Sequence, residues 1–212
     1  DPEMSRGLGD VYKRQIYAMA NYPSFDLNEP FTINNPELAA AWEGLSSKEQ
    51  SDALNTMWRN SAINDTYEPG SIFKIITSVA GLEEGVVTPE STFYCRGFHV
   101  AGDRQIKCWR YPRTHGAETF AEGVQNSCNP VFMEIAERLG AETFLDYVEK
   151  LGFREKTGID LAGEATGIIH ELKNVGPVEL ATMSFGQSFQ ITPLQLMRAL
   201  SLIHISEPTR HL

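Results

Sequence analysis

The chain has 212 residues, a formal net charge of −10, 42% hydrophobic and 22% charged residues. That length fits one domain or a large part of one, and the composition excludes a disordered chain. An acidic chain without basic clusters argues against nucleic acid as a partner, and no apolar run approaches the ~18 residues of a membrane span.

Residues 1–15, DPEMSRGLGDVYKRQ, carry no clear period and no apolar stretch of the signal-peptide kind. Together with SLIHISEPTRHL at 201–212, they resemble translated sequencing-adapter read-through. Both stretches are therefore expected to be non-native tails, and 16–200 to be the part that folds. IYAMANYPSF (16–25) reads as a strand ending at a proline turn. PELAAAWEGL (36–45) reads as a short helix. SIFKIITSVAGLEEG (71–85) reads as a helix with Ile72, Ile75, Ile76 and Val79 on its apolar face and Gly85 at its C-terminal cap. Residues 92–113 read as a β-rich excursion. Helices are then expected over 117–126, over 130–140 with Pro130 at the first position, over 141–153, over 177–186 and over 192–200. The sum is a helix-rich α+β fold.

The three cysteines, Cys95, Cys108 and Cys128, are too few and too odd in number for a disulfide scaffold. Cys95 and Cys108 share one loop-like region, where a bridge and two free thiols are equally compatible with the sequence. A zinc set of Cys95, His99, Cys108 and His115 matches no standard ligand spacing, so no metal is expected. His170 stands alone and reads as a surface histidine.

The stretch YEPGSIFK (67–74) carries the first chemical signal. Pro69 and Gly70 make a turn, so Ser71 falls in the first turn of a helix, where unpartnered N–H groups favour developing negative charge. Lys74, three residues on, shares its face. A serine hydroxyl needs a base, and a lysine with a lowered pKa can be one. A helix-capping serine and a solvated lysine fit the same spacing. The second signal is Ser127-Cys128-Asn129, in a short loop closed by Pro130. Such a loop can aim a hydroxyl and an amide into a cleft, although a helix-ending serine and an Asn-Pro turn look the same.

Taken together, S-x-x-K at Ser71 and Lys74 and S-x-N at Ser127 and Asn129 resemble the class B, monofunctional penicillin-binding proteins. These are serine acyltransferases that share a fold with serine β-lactamases. The resemblance extends to IYAMANYPSFDLN, WRNSAINDTYEPGS, IKCW, HGAETFAEGVQNSCN, KTGIDLAGEATG and SFGQSFQITPLQL, and the CRG…IKCW segment is similar to the sporulation and division type. It implies an antiparallel sheet flanked by helices beside an all-helical subdomain. It also implies peptidoglycan D,D-transpeptidase activity on D-Ala-D-Ala stem peptides, with β-lactams as covalent inhibitors. Ser71 would be the nucleophile, Lys74 the general base, Ser127 a proton relay and Asn129 a holder of the donor peptide. No cofactor is implied. The parent protein would lie at the extracytoplasmic face of the membrane, tethered by an N-terminal helix, with a lipid-II polymerase as partner. That setting favours a Cys95–Cys108 bridge.

Lys156-Thr157-Gly158 spells the family's third motif but is followed by a Gly-rich acidic stretch without strand alternation. It is expected to be a structural loop. The family's true third motif is expected after residue 200 and its first strand before Ile16. This chain is therefore expected to have a sheet truncated at both ends and to be weakly active or inactive alone. A β-lactamase or β-lactam sensor of the same fold is the nearest alternative. Glu164 is the acidic residue in roughly the region where a lactamase needs one, and it lacks the expected surroundings. A non-catalytic cell-wall scaffold is the other alternative.

Overall fold

The structure, a computed structural model, describes residues 4–10 and 15–206. The chain opens with strand β1 (Met4–Asp10), paired antiparallel with β2 (Gln15–Tyr22). Three helices follow: α1 (Pro36–Ala41), α2 (Ser47–Met57) and α3 (Ser61–Asn64). A 3-10 turn, Gly70–Phe73, runs directly into α4 (Lys74–Glu83). The β-rich excursion comprises β3 (Thr92–Cys95), β4 (Phe98–Ala101), β5 (Arg104–Lys107) and β6 (Gly116–Thr119). Helices α5 (Phe120–Gln125), α6 (Asn129–Leu139), α7 (Ala141–Lys150), α8 (Pro177–Met183) and α9 (Pro193–Ser206) complete it.

The α+β class holds. Among the described residues the strands form three separate two-stranded antiparallel pairs, β1–β2, β3–β6 and β4–β5. Two stretches left out of the sequence-based fold argument carry elements: β1 lies within 1–15, and α9 continues past residue 200.

Local chemistry explains most boundaries. Ser46 and Thr119 each cap a helix reciprocally with a glutamate three residues on, Glu49 and Glu122. The Thr119 cap also explains why 117–126 is not all helix. Residues 116–119 pair with β3, from Thr92 opposite Thr119 to Cys95 opposite Gly116, and helix starts only after the cap. Gly102 and Asp103 close the β4–β5 hairpin, with Gly102 at φ +59°. Pro130 and Pro177 sit at the starts of α6 and α8, where a missing N–H costs nothing.

The core lies where α4 crosses α6. Helix α6 buries Pro130, Val131, Phe132, Met133, Ile135, Ala136 and Leu139. Gly81 lets the two helices close, since a Cβ there would meet Ile135 at 2.9 Å. Phe73 is fully buried and touches the rings of Phe144, Phe153 and Phe189. The sequence misassigned part of the α4 face. Ile76 is buried as expected, but Ile72 and Ile75 are 50% and 44% exposed. The buried stripe is Phe73, Ile76, Thr77 and Ala80, and Lys74 lies within it. Counting only aliphatic residues missed a stripe that includes a lysine and a threonine. Thr77 is accommodated because its hydroxyl donates to Ser184 O at 2.7 Å.

Candidate active site

Ser71 is the second residue of the turn that feeds α4, and it is exposed. The turn is braced from below. Gly70 N–H donates to Gly186 O at 2.9 Å, and a Cβ on Gly186 would lie 2.1 Å from Gly70 O. Gly186 has φ +83°, so both space and backbone require glycine there. Neighbouring contacts hold the same segment. Tyr67 and Ile191 bridge antiparallel, and Glu68 accepts from Ser188 N–H at 2.8 Å.

One helical turn after Ser71, Lys74 is only 4% exposed. Its Nζ donates to Ser127 O at 2.7 Å, Ser127 Oγ at 2.9 Å and Asn129 Oδ1 at 2.7 Å. It also lies 5.3 Å from the centroid of the Phe132 ring. The loop between α5 and α6 delivers these acceptors because Ser127 takes a left-handed backbone, φ +50°. For a residue with a Cβ this costs about 1–2 kcal/mol. Burial pushes the Lys74 ammonium down to about 8, against the nearby Cys108 and Cys128 thiols, which favour its charge.

Ser71, Ser127 and Asn129 open onto one cleft of about 340 Å³, which Trp109, Phe185 and Gln187 also wall. The four residues singled out from sequence thus meet at one place. Trp109, Phe185, Gly186 and Gln187 were not singled out. SFGQSFQ was legible as a segment, but nothing in it announced that Gly186 would touch the turn carrying Ser71.

Lys156-Thr157-Gly158 lies outside that cleft and in no strand. Thr157 N–H and Gly158 N–H donate to the buried Glu164 carboxylate at 2.6 and 3.1 Å. The segment is a loop folded around its own glutamate. Glu164 is thereby engaged away from Ser71, which removes the basis for a lactamase-type water activator at that residue. His170 is half-buried, with Nε2 2.7 Å from Ser188 O.

The three cysteines are buried free thiols. Cys128 brings its sulfur towards those of Cys95 and Cys108, and His115 joins them. The Cys128 contact holds the Cys108 thiol down at about 5 and pushes the Cys128 thiol up. His99, part of the ligand set considered from sequence, turns instead to Glu137 at 3.4 Å.

The family model of the penicillin binding protein transpeptidase domain matches residues 7–206. Stage V sporulation protein D of Bacillus subtilis is 49% identical over 144 residues, covering 68% of this chain and 22% of that protein. Peptidoglycan D,D-transpeptidase FtsI of Escherichia coli is 28% identical over 196 residues, covering 92% and 29%. The structure of penicillin-binding protein PBP2 of Helicobacter pylori, complexed with MreC, superposes with a TM-score of 0.76 at 25% identity, over 95% of this chain and 38% of that one. This chain spans 22% to 29% of the length of these two curated relatives. With its match over nearly the whole sequence, the chain belongs to the penicillin-binding protein transpeptidase domain family.

Proposed function

We propose that this chain carries the acylation machinery of a peptidoglycan D,D-transpeptidase. The observation that carries the reading is the buried Lys74, held by Ser127 and Asn129 at the floor of the cleft that Ser71 lines. In the proposed reaction Lys74, as the neutral amine, takes the Ser71 hydroxyl proton while Oγ attacks the carbonyl carbon of the penultimate D-Ala of a stem peptide. Collapse of the tetrahedral adduct breaks the peptide bond, and Ser127 relays a proton to the departing D-Ala amine. An amine from a neighbouring stem then attacks the ester, forming the cross-link and returning the proton to Ser71. Asn129 orients the donor peptide. A β-lactam acylates Ser71 in the same way, but its leaving group stays tethered.

The family relationship supports a longer parent protein in a cell-wall machine at the outer face of the membrane. A lipid-II polymerase is the partner that fits this chemistry, since cross-linking consumes newly polymerised strands. No described helix is long and apolar enough to cross a membrane.

Intact-mass measurement after incubation with penicillin tests the reading. A single adduct on the tryptic peptide containing Ser71, lost in Ser71→Ala, is expected. Labelling of this chain is expected to be slow, because no Lys-Ser/Thr-Gly strand lines the described cleft to hold the substrate carboxylate. An adduct that persists in Ser71→Ala would remove the assignment.

A further inference from the structure

The four residues that meet behind the cleft come from four different places in the chain. Cys95 ends β3, Cys108 follows β5, His115 precedes β6, and Cys128 lies between α5 and α6. Their ligand atoms all lie within 4.8 Å of one another, with Cys108 Sγ 3.7 Å from His115 Nδ1. A tetrahedral site with three sulfurs and one imidazole has edges of about 3.6–3.8 Å, given bonds of about 2.3 Å to sulfur and 2.0–2.1 Å to nitrogen. The Cys108–His115 edge already has that length, and the longest separation needs about 1 Å of side-chain adjustment.

A backbone N–H group points at the Cys95 sulfur. Gly97 N–H donates to Cys95 Sγ at 3.4 Å. A donor two residues beyond a cysteine favours the thiolate, the form that binds metal, and such outer contacts orient ligands in metal sites. Two buried polar atoms in the same region, His115 Nε2 and Glu118 Oε1, have no hydrogen-bond partner. An imidazole whose buried Nε2 lacks a partner is held by its Nδ1 side, which faces the sulfurs.

We propose that Cys95, Cys108, His115 and Cys128 form a structural zinc site. Three thiolates and an imidazole are a closed, four-coordinate set of the kind zinc takes in structural sites. Zinc displaces the thiol protons on binding and crosslinks the three strand ends of the excursion to the loop that carries Ser127 and Asn129. It thereby fixes the wall of the cleft on which Lys74 depends. This differs from the sequence expectation of no metal; the ligand set considered there held His99 where the structure brings in Cys128. The inference stands apart from the acyl-transfer reading, because metal content is measured without any reaction.

The test is metal analysis of the 212-residue chain purified under thiol-reducing, chelator-free conditions. About one zinc per chain is expected. Cobalt(II) replacing it should show thiolate charge-transfer absorption and the visible bands of tetrahedral coordination. Cys95→Ser and His115→Gln should each lower zinc affinity about tenfold or more, while His99→Gln leaves it unchanged. Should a ligand variant fail to fold, the wild-type chain still decides the matter. Zinc should protect the three thiols from alkylation, and stripping it with a chelator should expose them. Folded, reduced protein that takes up neither zinc nor cobalt in stoichiometric amount overturns the proposal. So does peptide mapping that finds two of these cysteines joined as a disulfide in the metal-free protein.

Discussion

The crossing of α4 with α6 and the helices α1 and α2 are built on opposite terms. Helix α6 buries seven of its 11 residues, whereas neither α1 nor α2 buries any. The first region is held by packing, the second by its ends: Asn35 caps α1 and Ser46 caps α2. Capping contributes about 1 kcal/mol per helix, while a fully buried aromatic contributes several. The difference shows where this fold can tolerate change. Ser71, Lys74, Ser127 and Asn129 all attach to the packed region, so the cleft inherits its rigidity.

Phe132→Ala should show the largest effect. The ring is 1% exposed and lies under Lys74, so its loss should destabilise the chain by about 3–5 kcal/mol in a denaturant titration. A loss below about 1 kcal/mol would show that the crossing is not the packed centre. Gly186→Ala should come next. Its left-handed backbone alone costs about 1–2 kcal/mol, and the new methyl has no room beside Gly70. Displacement of the turn should slow penicillin labelling more than it lowers the melting temperature, and unchanged labelling would separate Gly186 from the site.

The acylation rate should also depend on pH through Lys74. Only the neutral amine can accept a proton, and burial places its pKa at about 8 instead of 10.5. The rate of penicillin labelling should therefore rise about tenfold per pH unit below 8 and level off above it. A profile still rising steeply above pH 9 would mean a solvated lysine. The smallest effect belongs to the outer region. Ser46→Ala should cost about 1 kcal/mol, seen as faster hydrogen exchange in α2 with labelling unchanged.

Short-range signals in the sequence were enough to single out the four residues that meet at the cleft. Ser71 and Lys74 are one helical turn apart, and the loop closed by Pro130 placed Ser127 and Asn129. Helix starts marked by proline, such as α6 and α8, were equally plain. What was not legible depends on distance in the chain. Gly186 touches Gly70, and Cys128 meets Cys95, through packing that no local pattern encodes. Helix α2 was missed although its Ser46–Glu49 capping box is a local signal, because its stripe of Gln50, Leu54 and Met57 is only half-buried. Ile72 and Ile75 misled for the converse reason: apolar residues at helical spacing do not say which side of a helix the core will cover.

The three hydrogen bonds of Lys74 set an inventory of protons. An ammonium has three hydrogens, and Ser127 O, Ser127 Oγ and Asn129 Oδ1 accept all three. A neutral amine has two hydrogens and one lone pair, so every deprotonation releases one of the three acceptors. The arrangement that holds Lys74 most firmly is therefore its unreactive form. In the proposed reaction each turnover would have to begin with a vacancy in that shell, opened beside the Ser127 hydroxyl or the Asn129 amide, and the partner that lets go would determine the direction in which Lys74 points.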